Sequence, residues 1–184
     1  MSRYKKSQYV RQEDLINNSD IFSGDKGNGY FMGRPRPFVL RDGMNNLYAP
    51  IRNDVLLYFK ENKISWWGGD KPSGHSLSSQ IACLNHLFAI MNDHDAVLAL
   101  LNGVRDEFEK VLPVSCDANP KYIGFEVVSR NDHLNENTST RGSNCTSVDA
   151  FIYAKHKGDG KLWLIPIEWK YTEHYANLDK SKED

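Results

Sequence analysis

The most regular hydrophobic pattern in the chain lies between residues 76 and 112. Apolar residues first recur with the spacing of one helix face, at Leu77, Ile81, Leu84, Phe88 and Met91. The polar segment 92–95 interrupts this stripe, and a second stripe continues from Val97 to Leu112, just before Pro113. The pattern therefore predicts two consecutive helices, the second of which ends at residue 112.

From residue 121 the apolar spacing changes to an alternation of two, which is typical of a β-strand. Two further runs rich in β-branched and aromatic residues follow at 147–156 and 161–171, joined by a Lys-Gly-Asp-Gly string at 157–160. Asp-Gly between such runs indicates a hairpin with a two-residue type I′ turn, because both central residues of that turn need positive φ. We expect three consecutive strands after the helices, with a polar loop at 129–147.

The first 70 residues show no sustained hydrophobic period. Gly, Asn and Asp recur at 23–29, and the Arg-Pro-Arg-Pro string at 34–37 excludes a helix interior. Scattered aromatic residues supply area to bury, which argues against disorder. One short helix is expected over 54–62, with Val55, Tyr58 and Phe59 on one face. We therefore predict an irregular N-terminal arm at 1–70, packed on a domain at 71–184.

Length and composition narrow the class of protein. A chain of 184 residues is large enough for one domain with a substantial core. No apolar run approaches the roughly 20 residues of a membrane span, and no signal-like apolar stretch follows Met1. The three cysteines, Cys83, Cys116 and Cys145, form no Cys-x-x-Cys pair, which disfavours a disulfide framework and a structural zinc site. These features favour a cytoplasmic protein without a membrane partner.

The overall charge excludes a strongly basic nucleic-acid-binding domain, since 23 Lys and Arg residues oppose 24 Asp and Glu residues. The distribution is uneven, however. Residues 1–70 carry 11 basic and 8 acidic side chains, whereas residues 71–184 carry 12 and 16. A mildly basic arm thus precedes an acidic half.

The predicted hairpin brings charged residues together. With Asp159 and Gly160 at the centre of the turn, Asp149 lies opposite Lys170, and Glu168 lies one diagonal step away. Opposed residues share a face of the sheet, as do residues i and i+2 of one strand, so the three are expected to meet on one face. Pro166 weakens this register, because proline cannot donate to a strand ladder and often marks an edge or a bulge.

Two carboxylates and an ammonium group at strand ends suit a hard cation such as Mg²⁺. Such an ion lowers the pKa of water and stabilises charge that develops on phosphorus. Glu126 lies on the adjoining predicted strand and is placed to supply a third carboxylate.

The strings SVDA at 147–150 and IEWK at 167–170 resemble the D…(D/E)xK signature of the PD-(D/E)XK nuclease superfamily. The strings WWGG at 66–69, GHSLSSQ at 74–80 and EWKYTE at 168–173 resemble a branch of bacterial restriction-endonuclease-like proteins. The resemblance covers most of the chain from about Phe38 onward. It implies an α/β fold with an α-β-β-β-α-β core, and the predicted order matches the first four elements. Because only 14 residues follow Lys170, we expect the later helix and strand to be short or missing.

This resemblance also implies roles for individual residues. Asp149 and Glu168 would bind the metal, joined by the carbonyl of Trp169, and Lys170 would be the catalytic lysine. Glu126 matches an additional acidic residue that many members contribute, and Gln80 lies on the first core helix, where some members place a polar site residue. The implied cofactor is Mg²⁺, with Mn²⁺ as a substitute. DNA is the implied substrate and partner, and a homodimer is one way of cutting both strands.

Structural roles stand beside these functional ones. Asp149 alone is explained by capping the preceding loop, and Glu168 and Lys170 by an exposed pair on a half-solvated strand. Trp66 and Trp67 fit either core packing or base stacking. The arginines fit either a solvated face or a phosphate-binding surface, namely Arg34, Arg36, Arg41 and Arg52. His75 and His86 lack the spacing of a zinc site.

Two other functions remain open from the residues. One is a catalytically inactive nucleic-acid-binding or assembly module that retains the nuclease fold. The other is a glycoside hydrolase that uses Glu126 and Glu168 as its acid pair, with Trp66 and Trp67 as a sugar platform. Lys170 beside Glu168 fits the glycoside hydrolase poorly, so a metal-dependent DNA endonuclease is the leading hypothesis.

Overall fold

The computed structural model describes residues 3–67, 69–115, 118–128 and 147–172. Within these ranges the chain has a mixed α/β fold, as expected. Its helices are α1 (Arg3–Asn18), α2 (Arg52–Glu61), α3 (Ser79–Leu87) and α4 (His94–Val104). Its strands are β1 (Gly29–Phe31), β2 (Arg34–Arg36), β3 (Phe108–Leu112), β4 (Ile123–Val128), β5 (Ser147–His156) and β6 (Leu162–Ile167).

The long strand β5 organises the main antiparallel sheet. β6 pairs with one edge of β5 over residues 150–155. On the other edge, β4 pairs with residues 147–152 of β5 and β3 pairs with residues 153–156, so β3 and β4 lie end to end. A separate small hairpin is formed by β1 and β2. Because every strand of the main sheet bonds to β5, its position determines where each strand ends.

The hydrophobic core joins this sheet to α2 and α3. Val55 and Phe59 of α2 pack in one cluster with Ile81 and Leu84 of α3 and with Ile152 of β5. The cluster also contains residues from the segment that precedes α3, including Leu47 and Trp66. Ser78 is the N-cap of α3, and its hydroxyl accepts a hydrogen bond from the backbone N–H of Ile81. Residues on both sides of position 70 thus share one core.

The structure confirms the expected short helix as α2 and adds α1, which the hydrophobic pattern did not predict. α1 is 16 residues long, but only Gln8 and Ile16 are buried on it. A helix with so little apolar surface has no stripe that sequence periodicity can detect.

The second predicted helix is too long. α4 ends at Val104, and residues Phe108–Leu112 form β3. A bulge between Phe108 and Lys110 adds one residue to this strand, so the buried Phe108 and Val111 lie three positions apart and imitate helical spacing. The side chain of Asn102 joins the two elements, since it exchanges two hydrogen bonds of 3.0 Å with the backbone of Phe108.

The hairpin between β5 and β6 is confirmed, but its turn and register differ from the prediction. The turn contains four residues, 157–160, and is closed by a 2.9 Å bond from His156 N to Lys161 O. Of these four residues only Gly160 has a positive φ, 67°, so the turn is not type I′. The register therefore shifts by two residues, and the ladder ends at the pair Ala150–Ile167. Glu168 and Lys170, which were expected on the strand, lie beyond its end.

None of the helices in the described ranges is long and apolar enough to cross a membrane. The expectations for Cys116, Cys145, the 129–146 segment and the elements after Thr172 fall outside the described residues.

Ile152 provides a test of the central position of β5. It is fully buried and pairs with Ile123 of β4 and with Ile165 of β6. We expect Ile152→Ala to lower the free energy of unfolding by about 2–5 kcal/mol, because a cavity would open between both neighbours. Urea denaturation measures the change. Val104→Ala, at a residue that is 87% exposed, is the control and should change stability by less than about 0.5 kcal/mol. Equal effects of the two substitutions would contradict this architecture.

Candidate active site

Three carboxylate residues occupy one row across three neighbouring strands. The pairs Phe125–Ala150 and Val127–Val148 place Glu126 opposite Asp149. Asp149 and Glu168 each lie one residue beyond the pair Ala150–Ile167, where the β5–β6 ladder ends. Like charges that lie opposite each other destabilise a sheet. Such a row is therefore unusual as a purely structural arrangement.

Asp149 is hydrogen-bonded to the segment after β6 that carries Glu168 and Lys170. Its Oδ2 accepts a 2.7 Å hydrogen bond from the backbone N–H of Trp169. Lys170 Nζ donates a hydrogen bond to Glu168 Oε1, and both of these side chains are about half exposed. Two carboxylates and one ammonium group therefore meet where β6 ends, within reach of solvent.

Glu126 is held from the side of α3. Gln80 Nε2 donates a 2.9 Å hydrogen bond to Glu126 Oε1, and Gln80 Oε1 accepts one of 3.0 Å from the backbone N–H of Trp67. Glu126 itself has a φ of 50°, in the left-handed region that side chains rarely adopt. Strained backbone of this kind clusters at functional sites.

The negative charge of the three carboxylates raises the pKa of a buried thiol. Cys83 lies on α3 and is 2% exposed. Burial, which is the largest cause, and the charges of Asp149, Glu126 and Glu168 together raise the pKa of this thiol from 9.0 to about 12. All three carboxylates thus act on one point of α3.

The oxygen donors of the row are those that hard cations prefer. In the described part of the chain, no three side chains from His, Cys, Asp and Glu are grouped as a metal-binding set.

Residues 5–184 match the family described as Restriction Endonuclease associating with ARP. The chain belongs to this family. Neither a curated protein nor a solved structure matches it. The restriction-endonuclease relationship therefore comes from the sequence family, and the geometry of the row adds independent information about the site.

In this restriction-endonuclease family member, the structure gives other singled-out residues packing roles. His75 is buried among aromatic rings, with the Phe31 ring centroid 4.6 Å away and that of Phe38 at 5.3 Å. Trp66 is buried against Phe59, with ring centroids 3.9 Å apart. His86 contacts the ring of Trp169 at 5.0 Å.

The singled-out arginines lie in two places, one at the start of α2 and the others on or beside the β1–β2 hairpin. Arg52 donates to the carbonyl of Leu47, which is a local structural contact. Arg34 and Arg36 belong to β2, and Arg41 lies beside that hairpin. Trp67 is exposed, unlike its neighbour Trp66.

The position of Cys83 close to the carboxylates was not predicted from the sequence. Cys83 follows Gln80 by three residues, and residues at that spacing lie on the same side of a helix. Because Gln80 is expected at the site, this spacing indicates that Cys83 lies close to the site as well. The bond from the backbone of Trp67 to Gln80 carried no sequence signal, because any residue can provide a backbone N–H.

The charge of the row predicts how stability depends on alkaline pH. The thiol pKa of Cys83 is higher in the folded than in the unfolded chain, so the unfolded chain loses this proton first. The associated stabilisation is fully present below pH 9 and is lost as the pH rises toward 12. In EDTA, the wild type should lose about 1 kcal/mol more of unfolding free energy between pH 8 and pH 10 than Cys83→Ala. Parallel urea-denaturation profiles of the two proteins would contradict the raised pKa.

The positive φ of Glu126 predicts a difference between two substitutions. Glu126→Gly and Glu126→Ala both remove the carboxylate, but only glycine relieves the left-handed backbone. We expect the glycine variant to be more stable than the alanine variant by about 1 kcal/mol. Thermal unfolding measured side by side tests this, and an alanine variant as stable as the glycine variant would show that the backbone is unstrained.

Proposed function

We propose that this chain is a metal-dependent DNA endonuclease with an active site of the PD-(D/E)XK type. The observation that carries this proposal is the 2.7 Å bond from Trp169 N–H to Asp149. It joins the aspartate of one strand to the Glu-x-Lys segment of the next. Membership of a restriction-endonuclease family supports the same chemistry.

Asp149 and Glu168 are the residues proposed to hold Mg²⁺ or Mn²⁺, together with the carbonyl of Trp169. When bound, the ion would lower the pKa of water and stabilise charge on the phosphate. The donor set fits such an ion, because the row is negatively charged and would attract a cation. The same negative charge raises the pKa of the Cys83 thiol. Binding would also relieve the repulsion between the aligned carboxylates.

Lys170 is the proposed catalytic lysine. Its ammonium group is 54% exposed and lies against Glu168, so it can meet both the substrate phosphate and the attacking water. There it would orient that water and offset charge that develops in the transition state. Water attacks phosphorus, the bond to the 3′ oxygen breaks, and the products carry a 5′-phosphate and a 3′-hydroxyl.

Glu126 is proposed as the third acidic residue of the site. The amide of Gln80 holds its carboxylate at 2.9 Å, which makes Gln80 a positioning residue. The distorted backbone at Glu126 turns the side chain away from ordinary strand geometry, toward α3.

The second candidate is a non-catalytic module that acts within an assembly. The family description, which names association with ARP, favours it. This function would need the fold and its surfaces but not the charge of Asp149 or Lys170.

A nicking assay with supercoiled plasmid separates the two candidates. The protein is incubated with Mg²⁺, Mn²⁺ or EDTA, beside Asp149→Asn and Lys170→Ala. Asparagine retains an oxygen that accepts the Trp169 N–H, so this variant removes charge and keeps the local fold. We expect metal-dependent nicking by the wild type and a rate at least about 100-fold lower in both variants.

Matched controls are Asp20→Asn and Lys161→Ala, which alter highly exposed residues; Lys161 lies at the opposite end of β6 from Glu168. They should nick at the wild-type rate. Full activity of Asp149→Asn and Lys170→Ala would refute the site. DNA binding without nicking in any metal would favour the non-catalytic module.

A further inference from the structure

An open groove of about 1130 Å³ lies between the β1–β2 hairpin and the segment that precedes α3. One wall is the β1–β2 hairpin, with Tyr30, Phe31 and Met32. The other wall is the segment 69–75 together with Trp67. This volume exceeds the range of about 300–1000 Å³ that is usual for small-molecule pockets, which favours a stretch of polymer over a single small ligand.

The walls present apolar side chains that the fold itself does not use. Tyr30 is 78% exposed, Met32 81% and Trp67 53%. Trp67 lies beside the ring of Phe31, with centroids 5.8 Å apart. Exposed aromatic rings on a groove wall are the surfaces on which unpaired bases stack.

The groove is held by rigid backbone contacts. Leu40 N donates a 2.8 Å bond to Gly74 O, and Val39 pairs with His75. The approach at Gly74 is so close that a Cβ there would lie 2.2 Å from the carbonyl oxygen of Leu40. The two walls are thus joined before any ligand binds, which reduces the ordering cost of binding.

Its charged side chains are mostly basic. Arg41 and Lys71 line the groove against one acid, Asp70. Arg41 is oriented by a 3.0 Å bond from its Nε to the carbonyl of Gly27. The exposed Arg34 adds positive charge on β2. Basic groups interleaved with aromatic rings match a chain of phosphates and bases.

A chain of hydrogen bonds connects the groove to the carboxylate row. The backbone N–H of Trp67 bonds to Gln80, and Gln80 bonds to Glu126. Gln80 therefore bridges the backbone of the groove wall and one carboxylate of the site proposed for phosphodiester cleavage.

We propose that this groove binds unpaired nucleotides of the DNA strand next to the phosphate that is cut. Their bases would stack on Trp67 and Tyr30, and their phosphates would contact Arg41 and Lys71. Duplex DNA is the weaker candidate, because its base faces are already stacked and closed to protein aromatics. The proposal rests on the proposed function, since it describes the substrate of the same site.

Fluorescence anisotropy tests the proposal with a labelled oligothymidine strand and a duplex of equal length, both in EDTA. We expect the wild type to bind the single strand more tightly. Trp67→Ala and Tyr30→Ala should each weaken that binding by roughly 5- to 100-fold. Trp67→Phe keeps a ring and should restore most of the affinity. Lys71→Ala should reduce the slope of log affinity against log salt by about 0.7.

Tyr48→Ala is the matched control, because Tyr48 is 55% exposed but lies outside the groove. It should bind like the wild type. Equal single-strand affinities for Trp67→Ala, Tyr30→Ala and Tyr48→Ala would overturn the proposal, and so would tighter binding of duplex that these variants leave unchanged.

Failure of the groove proposal is distinguishable from failure of the proposed endonuclease function. Plasmid nicking by the wild type, with single-strand binding insensitive to Trp67 and Tyr30, would refute only the groove. Loss of single-strand binding in Trp67→Ala, with no nicking by the wild type in any metal, would support the groove and refute the endonuclease.

Discussion

Electrostatic repulsion within the β4–β5–β6 row is the constraint on which the candidate site depends. The pairs of β5 with β4 place Glu126 opposite Asp149, and Glu168 lies one residue beyond the last pair of β5 with β6. Sheets normally avoid opposed like charges, because nearby water only partly screens them. The arrangement is stabilised locally by the Trp169 N–H, by Lys170 and by the amide of Gln80.

Helix α3 connects this row to the rest of the molecule. Its residues Ile81, Cys83 and Leu84 pack into the core, whereas Gln80 donates a hydrogen bond to Glu126 of the charged row. One helix thus contributes both to stability and to the position of a carboxylate. Through Gln80 it also links the site to Trp67, so the aromatic groove and the row are held in a fixed relation.

The segment before α3 is structurally integrated with the sheet. Leu47, Phe59 and Trp66 lie in the same core cluster as Ile123 and Ile152. Farther toward the N-terminus, Gln12 of α1 donates a 3.3 Å bond to the hydroxyl of Tyr171, just beyond Lys170. This segment contributes close backbone contacts and exposed aromatic rings to the molecule. Neither feature requires long regular elements.

The sequence by itself determined the succession of β4, β5 and β6 and the hairpin between the last two strands. Apolar alternation along each strand and the Asp-Gly string between the runs are local signals, so they can be read without knowledge of the packing. Tertiary structure decided the turn length, the end of α4 and the contact of Gln80 with Glu126. The bulge in β3 imitated a helical spacing, and α1 had too little buried surface to leave a pattern. Contacts between residues 46 positions apart, such as Gln80 and Glu126, depend on how whole elements pack, and local periodicity carries no information about that.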